Sequence, residues 1–287
     1  MKANIRILVL LASLSISCSN QGELFENATC YTNVNIIDAA DGLRENMTLV
    51  IKDNRIIRVR PIDEIQLNDQ NQIVDVGGKY IIPGLWDAHV HFSYIRELAP
   101  TMFNLFLAYG VTSVRDTGGD LNFVSLWKAR AKSNPADAPR VMVAGPLLDG
   151  MPNVYDGSSS SRPRLSVGIR SKQDAMITAD MIAESNVDFL KAYEMLSPEE
   201  FQVVCNVARG AELKVTGHVP LSMDVISASN AGLNSMEHLR NLELSCAVNS
   251  DELLQQRREL LSEGKSDLGG VLRSRIHAAQ RVNAIQN

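Results

Sequence analysis

The sequence contains five histidines, and four of them lie in short apolar runs. His89 and His91 close the stretch Ile82-Pro83-Gly84-Leu85-Trp86-Asp87-Ala88-His89-Val90-His91. In a strand, residues i and i+2 point to the same face, so these two imidazoles can grip one cation together. His218 follows Thr216-Gly217, and His238 follows Met236-Glu237, 20 residues further on. That interval fits one helix plus the next strand, and the second pair could hold a second ion. Neutral imidazole is a good ligand for zinc and similar divalent ions. Lys191, in Phe189-Leu190-Lys191-Ala192-Tyr193, is the odd member, because an ammonium group repels a cation. It makes sense there only if deprotonated and modified. Reaction with carbon dioxide would give a carbamate whose two oxygens could bridge two ions. Two ions ~3.5–4 Å apart can share a hydroxide, polarise a carbonyl and clamp a transition state.

Each of these residues taken singly is more often structural than functional. A lone histidine in an apolar run is usually a satisfied core or surface residue, and a lone lysine usually snorkels to water. The joint pattern carries the reading: four of five histidines at the ends of strand-like runs, with one lysine between them in the sequence. His277 lies in a polar helical stretch and receives no role.

The elements that would position these residues alternate. Strand-like runs cover residues 110–116, 140–145, 187–191, 213–218 and 234–238, and the stretch ending at His89 makes six. Helix candidates fall at 97–109, 122–133, 172–185, 197–209 and 221–231. Ser197-Pro198-Glu199-Glu200 is a good helix start, with a serine cap, a proline in the first turn and acids at the positive end. Alternating β and α elements imply a parallel sheet, and parallel α/β barrels carry their catalytic groups at the C-terminal ends of the strands. Residues 147–168 are rich in Gly, Ser and Pro and read as a long irregular loop that could overhang a site. Before the barrel, residues 29–82 read as a small all-β module. Within it, Met47–Ile51 and Arg55–Val59 flank the turn signal Lys52-Asp53-Asn54. From about residue 249 the pattern is helical and polar. A closed barrel needs eight strands and ~250 residues, so residues 83–287 are expected to form a partial barrel of about six strands.

Bulk properties exclude some functions. The 287 residues are 45% hydrophobic and 21% charged, an ordinary globular composition. A formal net charge of −5 and 5% aromatic content leave nucleic-acid binding without electrostatic or stacking support. Residues 1–18 read as a secretory signal: Lys2 and Arg6, an apolar stretch, then Ser15-Ile16-Ser17-Cys18. That last tetrad also resembles a lipoprotein cleavage box, although Ser15 stands where leucine is usual. Plain secretion and a membrane tether through a lipidated Cys18 both stand. The protein is thus expected to be exported, either periplasmic or membrane-anchored. Cys30, Cys205 and Cys246 form no C-x-x-C pair and read as idle thiols. Association of identical chains stays open.

The order of β module, Pro-Gly-Leu-Trp-Asp-Ala-His-Val-His, Lys191, His218 and His238 resembles the amidohydrolase superfamily of metal-dependent hydrolases. The runs Gly110–Gly119 and Pro139–Gly150 strengthen the likeness, which is closest to the imidazolonepropionase-like and Xaa-Pro dipeptidase-like (prolidase) branch and covers roughly residues 29–245. The resemblance implies an α/β fold, a (β/α)8 TIM-type barrel incomplete at the C-terminus, with a small N-terminal β-sandwich module. It implies two divalent metal ions, zinc being the expected one. His89 and His91 would hold the first, His218 and His238 the second, and Lys191, N-carboxylated, would bridge both. Tyr193, two residues beyond Lys191 and so on the same strand face, would contact substrate or polarise a carbonyl. Its bland reading is a packed tyrosine. Arg115 and Asp116 read as a buried structural pair. The implied reaction is hydrolysis of an amide or peptide C–N bond by a metal-bridged hydroxide, on a small molecule or a dipeptide with proline on the leaving side. The family's aspartate at the eighth strand has no counterpart, since Asp251 and Asp267 lie in helical stretches. The alternative is therefore a truncated, inactive metal-binding remnant. A sugar- or peptide-binding lipoprotein without metal is a third reading.

Overall fold

The computed structural model describes residues 22–285, with side chains to residue 280. Residues 1–18 and Cys18 lie outside the described residues. The chain divides into two compact units, Met1–Pro83 and Gly84–Asn287.

The first unit is a sheet module. Its strands are β1 (Glu23–Leu24), β2 (Thr29–Asp38), β3 (Gly42–Lys52), β4 (Arg55–Pro61), β5 (Ile65–Gln66), β6 (Gln72–Asp75) and β7 (Tyr80–Ile81). Five of them make the main sheet, in the order β4-β3-β2-β6 with β7 also on β2, and β1 pairs with β5. The hairpin between β3 and β4 turns at Asp53 and Asn54, both with positive φ (51° and 59°). Asn and Asp tolerate that region, and such a turn matches the twist of the flanking strands. Leu49 and Val50 are neighbours in β3 yet belong to different apolar clusters, Leu49 with Val34 and Ile36, Val50 with Cys30 and Ile65. Successive strand residues face opposite ways, so both faces of this sheet are covered by apolar side chains.

The second unit alternates strand and helix. It runs β8 (Leu85–Val90), α1 (Ala99–Ala108), β9 (Val111–Asp116), α2 (Leu121–Ser133), β10 (Arg140–Val143), β11 (Leu147–Gly150), β12 (Ser166–Ile169) and α3 (Lys172–Ala183). It continues with β13 (Phe189–Ala192), α4 (Pro198–Gly210), β14 (Lys214–Gly217), α5 (Val225–Ala231), β15 (Leu233–Met236), α6 (Leu242–Cys246), α7 (Ser250–Glu263) and α8 (Gly269–Ile285). All strand pairings here are parallel. The strands stand side by side in chain order: β8-β9-β10, then β11-β13-β14-β15, with β12 on the other side of β11. Strands β10 and β11 act as one bent strand. The Asp188 amide donates to Val143 O (2.8 Å) just before the bend, and the Tyr193 amide donates to Leu148 O (2.9 Å) just after it. This is the layout of a TIM-type (β/α) barrel.

Local signals explain the helix starts. Asp120, Ser171, Ser197 and Asp224 each accept a backbone N–H at the head of α2, α3, α4 and α5. Ser197 and Glu200 complete a capping box. The core between strands and helices includes Phe92, Val114, Leu148, Leu190, Phe201 and Val215, all fully or almost fully buried.

Two expectations need correction. Residues 147–168 are not wholly irregular, because β11 and β12 bracket a shorter loop. Their strand character was masked by Asp149, Gly150 and Gly168. Gly150 is required there by packing: a Cβ would lie 2.0 Å from Met195 O. The helix expected at 221–231 starts only at Val225, because Asp224 caps it there. Among the described residues no helix is long and apolar enough to cross a membrane.

Candidate active site

The ends of β8, β13, β14 and β15 bring His89, His91, Lys191, Tyr193, His218 and His238 to one cavity of 160 Å³. Tyr94, Tyr155, Leu147 and Leu165 line its remaining walls. The rings form a chain: His91 to His89 at 5.0 Å, His89 to His238 at 4.3 Å, His238 to His218 at 5.3 Å between centroids. Tyr193 stacks at a tilt on His218, 4.5 Å away.

Three of the four imidazoles, those of His89, His91 and His218, have Nδ1 committed to an acceptor. His91 Nδ1 donates to Gly118 O (2.6 Å). A carbonyl only accepts, so the proton sits on Nδ1 and Nε2 keeps its lone pair. His89 Nδ1 donates to Glu237 Oε2 (2.6 Å), and His218 Nδ1 donates to Glu194 Oε1 (2.5 Å). Burial pushes the pKa of His91 and of His218 down to about 4, which keeps both rings neutral at neutral pH. The consequence is geometric. His89 Nε2 and His91 Nε2 face each other at 3.1 Å. With both Nδ1 atoms protonated, two lone pairs point at one place, an arrangement that a shared cation relieves. Two nitrogens on one tetrahedral zinc ion, each at ~2.0–2.1 Å, stand about 3.3 Å apart, so the pair fits such an ion.

Lys191 is 1% exposed, and its Nζ has no hydrogen-bond partner. Burial pulls its pKa down to about 7; Glu237 and Glu194 oppose the shift and Arg115 adds to it. A buried amine without a partner is costly. Among the described residues no three His, Cys, Asp or Glu side chains are grouped to hold an ion by themselves.

Two carboxylates that the sequence did not single out organise this cavity. Glu237 precedes His238. Burial works to raise its pKa, but His89, the charge of Lys191 and the Thr216 hydroxyl outweigh that and hold it at about 2. It also meets Arg115 at 3.3 Å and accepts from the Thr216 hydroxyl. Glu194 is completely buried. Burial again works to raise its pKa, and His218, His277 and Arg273 hold it well below the usual carboxylate range. Arg273 Nε reaches it at 2.7 Å and His277 Nε2 at 3.3 Å. His277, given no role from the sequence, thus joins the support of His218 from α8.

Arg115 and Asp116 are not a pair. Neighbours in a strand face opposite ways. Arg115 turns to Glu237 and lies over the Phe189 ring (4.7 Å). The buried Asp116 carboxylate instead accepts from the amides of Phe92 (2.7 Å) and Gly118 (3.1 Å). It thereby fixes the loop whose Gly118 carbonyl orients His91. Only glycine fits that loop position, at φ +153°, since a Cβ would lie 2.4 Å from Leu147 Cδ2. Cys30 and Cys205 are buried free thiols, and Cys246 is exposed.

Known proteins carry related sequences and folds. A dihydroorotase of Carboxydothermus hydrogenoformans is 34% identical over 113 residues, 36% of this chain. That match spans only about a quarter (26%) of the dihydroorotase's own length. A prolidase crystallised with N-methylphosphonate-L-proline superposes with a TM-score of 0.64 at 18% identity, over 84% of this chain and 70% of its own. A Xaa-Pro dipeptidase with methionine bound in its active site gives 0.63 at 18% identity, over 87% and 73%. At these identities the two structures attest the fold alone. The family assignment rests on the sequence model of the Amidohydrolase family, which matches residues 80–265. That match takes in every strand-end residue described above and well over half of the chain, and the chain accordingly belongs to the amidohydrolase family.

Proposed function

We propose that the histidine cavity is the reaction site of a metal-dependent hydrolase that cleaves an amide or peptide C–N bond. The observation that carries this reading is the facing pair His89 Nε2 and His91 Nε2, 3.1 Å apart with both Nδ1 atoms committed elsewhere. His89 and His91 would hold one divalent ion, His218 and His238 a second, and the carbamate of Lys191 would join them. Zinc is the ion proposed. Bound there, the ions would activate water and polarise a carbonyl oxygen. The chain's own residues do the rest. Glu237 and Gly118 keep the His89 and His91 protons on Nδ1 and so aim Nε2 into the cavity. Glu194 does the same for His218. Tyr193 lines the cavity, burial keeps its hydroxyl protonated, and it would donate a hydrogen bond to a substrate carbonyl. Leu147, Leu165 and the tyrosine rings limit the water that reaches the cavity.

The proposed substrates are small amides, dipeptides with proline on the leaving side first among them. The likeness to a prolidase crystallised with N-methylphosphonate-L-proline and to a Xaa-Pro dipeptidase supports this choice. Export through residues 1–18 belongs to the same proposal, and sequencing the mature N-terminus tests it.

The experiment measures bound metal by elemental analysis and hydrolysis across a dipeptide panel, for the protein and for His91→Ala. The expected result is bound divalent metal, turnover of at least one amide, and loss of both in the variant. Turnover by His91→Ala at the parent rate with unchanged metal content would overturn the assignment. Metal without any turnover would favour the metal-binding remnant instead.

A further inference from the structure

A second cleft, of 460 Å³, opens beyond the C-terminal ends of β11, β12 and β13, with α7 and α8 along its other side. It shares no lining residue with the histidine cavity. Met195 and Leu272 line it and pack in one apolar cluster with Leu147 and Tyr193, which line the histidine cavity, so that cluster forms the wall between the two spaces. Clefts of about 300–1,000 Å³ are the ones that enclose small molecules. The floor is aliphatic: Met151, Ile169, Met195, Leu196, Leu261 and Leu272. No aromatic side chain of the described residues lines it, whereas three tyrosines line the histidine cavity. Methionine is unbranched and flexible, so such a floor adapts to a hydrocarbon chain, and it offers no ring for an aromatic ligand to stack on.

The rim carries the opposite chemistry. Arg170, just past β12, Arg258, in α7, and Lys265, just past α7, all line the cleft and are all exposed. Among the described residues none of the three stands in an ion pair. Arg258 is held in place: its Nε donates to Ser222 O (3.1 Å), and the Ser222 hydroxyl donates to Leu196 O (2.9 Å). Its Nη groups donate to no acceptor among the described residues. Asp174, close to Arg170 in sequence, accepts the Arg170 backbone amide (3.0 Å) and not its guanidinium. Glu200 is the one acid on the lining, and its Oε2 already accepts the Ser197 amide (2.9 Å) in the capping box of α4. Three basic groups against one acid leave two positive charges in excess, in a chain whose formal net charge is −5. A cleft lined by one sign of charge concentrates ligands of the other.

We infer that this cleft, apart from the histidine cavity, is a binding site for a small aliphatic anion of the medium-chain fatty-acid kind. The hydrocarbon chain lies on the floor of Ile169, Leu196 and Leu272, and the anionic head meets the guanidinium of Arg258, with Arg170 and Lys265 adding charge at the rim. Each methylene taken out of water favours binding, and a guanidinium presents paired N–H donors that match a carboxylate. The inference is independent of the reading of the histidine cavity as a reaction site.

The test is calorimetric binding of octanoate and of octan-1-ol to the whole protein. Octanoate is expected to bind about tenfold or more tightly than the alcohol, which lacks the charge-assisted bond. The paired charge reversal Arg170→Glu with Lys265→Glu, at two exposed positions, should weaken octanoate by about tenfold or more and leave the alcohol unchanged. His91→Ala, with the melting profile of the parent, should bind octanoate as the parent does. Loss of octanoate binding in that variant would put the anion in the histidine cavity and overturn the inference. No binding at millimolar octanoate, equal affinity for acid and alcohol, or full binding by the charge-reversed protein would each overturn it as well. The comparison of the two ligands on the parent decides even where a substitution disturbs folding. Octanoate contains no amide bond, so success or failure here is read separately from hydrolysis.

Discussion

The sheet unit and the barrel unit treat buried polar groups in opposite ways. In the sheet, the one buried polar side chain among the described residues is Thr48, whose hydroxyl has no partner. The ion pair of Arg58 with Glu23 (2.6 Å) lies at the surface with both side chains nearly half exposed, and that of Arg44 with Asp38 is only partly buried. In the barrel, Asp116, Asp149, Lys191, Glu194, His218, Glu237 and Arg257 are all buried. Burying charge is expensive, and it persists where partners are arranged or where function requires it. Six of these seven sit at or just past the C-terminal ends of β9, β11, β13, β14 and β15, where a barrel places its chemistry. The contrast teaches that the first unit buries almost no polar side chain, whereas the second holds several ionisable groups in its interior.

Four substitutions would break or sharpen that contrast. The largest effect is expected from Glu194→Ala, which leaves Arg273 and His218 without their buried acceptor. It should lower stability by about 3–5 kcal/mol in denaturant unfolding. A loss below about 1 kcal/mol would mean that the carboxylate is not the hub its contacts make it. Asp149→Asn comes next. Asp149 accepts the amides of Val154 and Met195, both at 2.8 Å, one on each oxygen. An amide side chain has one acceptor oxygen, so one buried N–H is orphaned at a cost of about 1–3 kcal/mol. Burial raises the Asp149 pKa to about 7, against the pull of its backbone bonds. A folded-state pKa above the unfolded value favours the fold at low pH. That contribution is full below the unfolded pKa of 3.8 and is lost as pH rises through about 7. Thermal unfolding from pH 4 to 8 should show that decline in the parent and a flatter profile in the variant.

Thr48→Val reverses the sign. It replaces an unpartnered buried hydroxyl by a methyl group of the same shape and should stabilise the sheet by about 1 kcal/mol. If it destabilises instead, an ordered water or another partner serves that hydroxyl. Arg58→Ala is the smallest change. An exposed pair adds little, and no shift in the melting temperature is expected.

The chemistry was more legible in the sequence than its support. His89 and His91 could be paired from their spacing, because a strand repeats every two residues and β8 runs to Val90. Lys191, in β13, and Tyr193, one residue past its end, likewise line the same cavity. Glu194 and Glu237 escaped because each is the immediate neighbour of a residue already assigned to the cavity, Tyr193 and His238, and strict alternation would send it to the other face. Strand β13 ends at Ala192 and β15 at Met236, and the alternation stops there. After Glu237 the chain enters a turn with positive φ at His238, which lets adjacent residues serve the same site. Arg273 and His277 escaped because helix α8 alone brings them back to Glu194 across about eighty positions.

Local rules, then, reach as far as local geometry does. Period-two and period-3.6 patterns, caps and turn residues determined the alternation of strand and helix, the β3–β4 hairpin and the side of the strands on which the histidine and lysine side chains of the cavity emerge. What the tertiary structure alone decided is which charge meets which. The proton positions on His89, His91 and His218 are set by Glu237, the Gly118 carbonyl and Glu194. Those contacts depend on chain segments far apart in sequence that only the closed packing of strands and helices brings within a hydrogen bond.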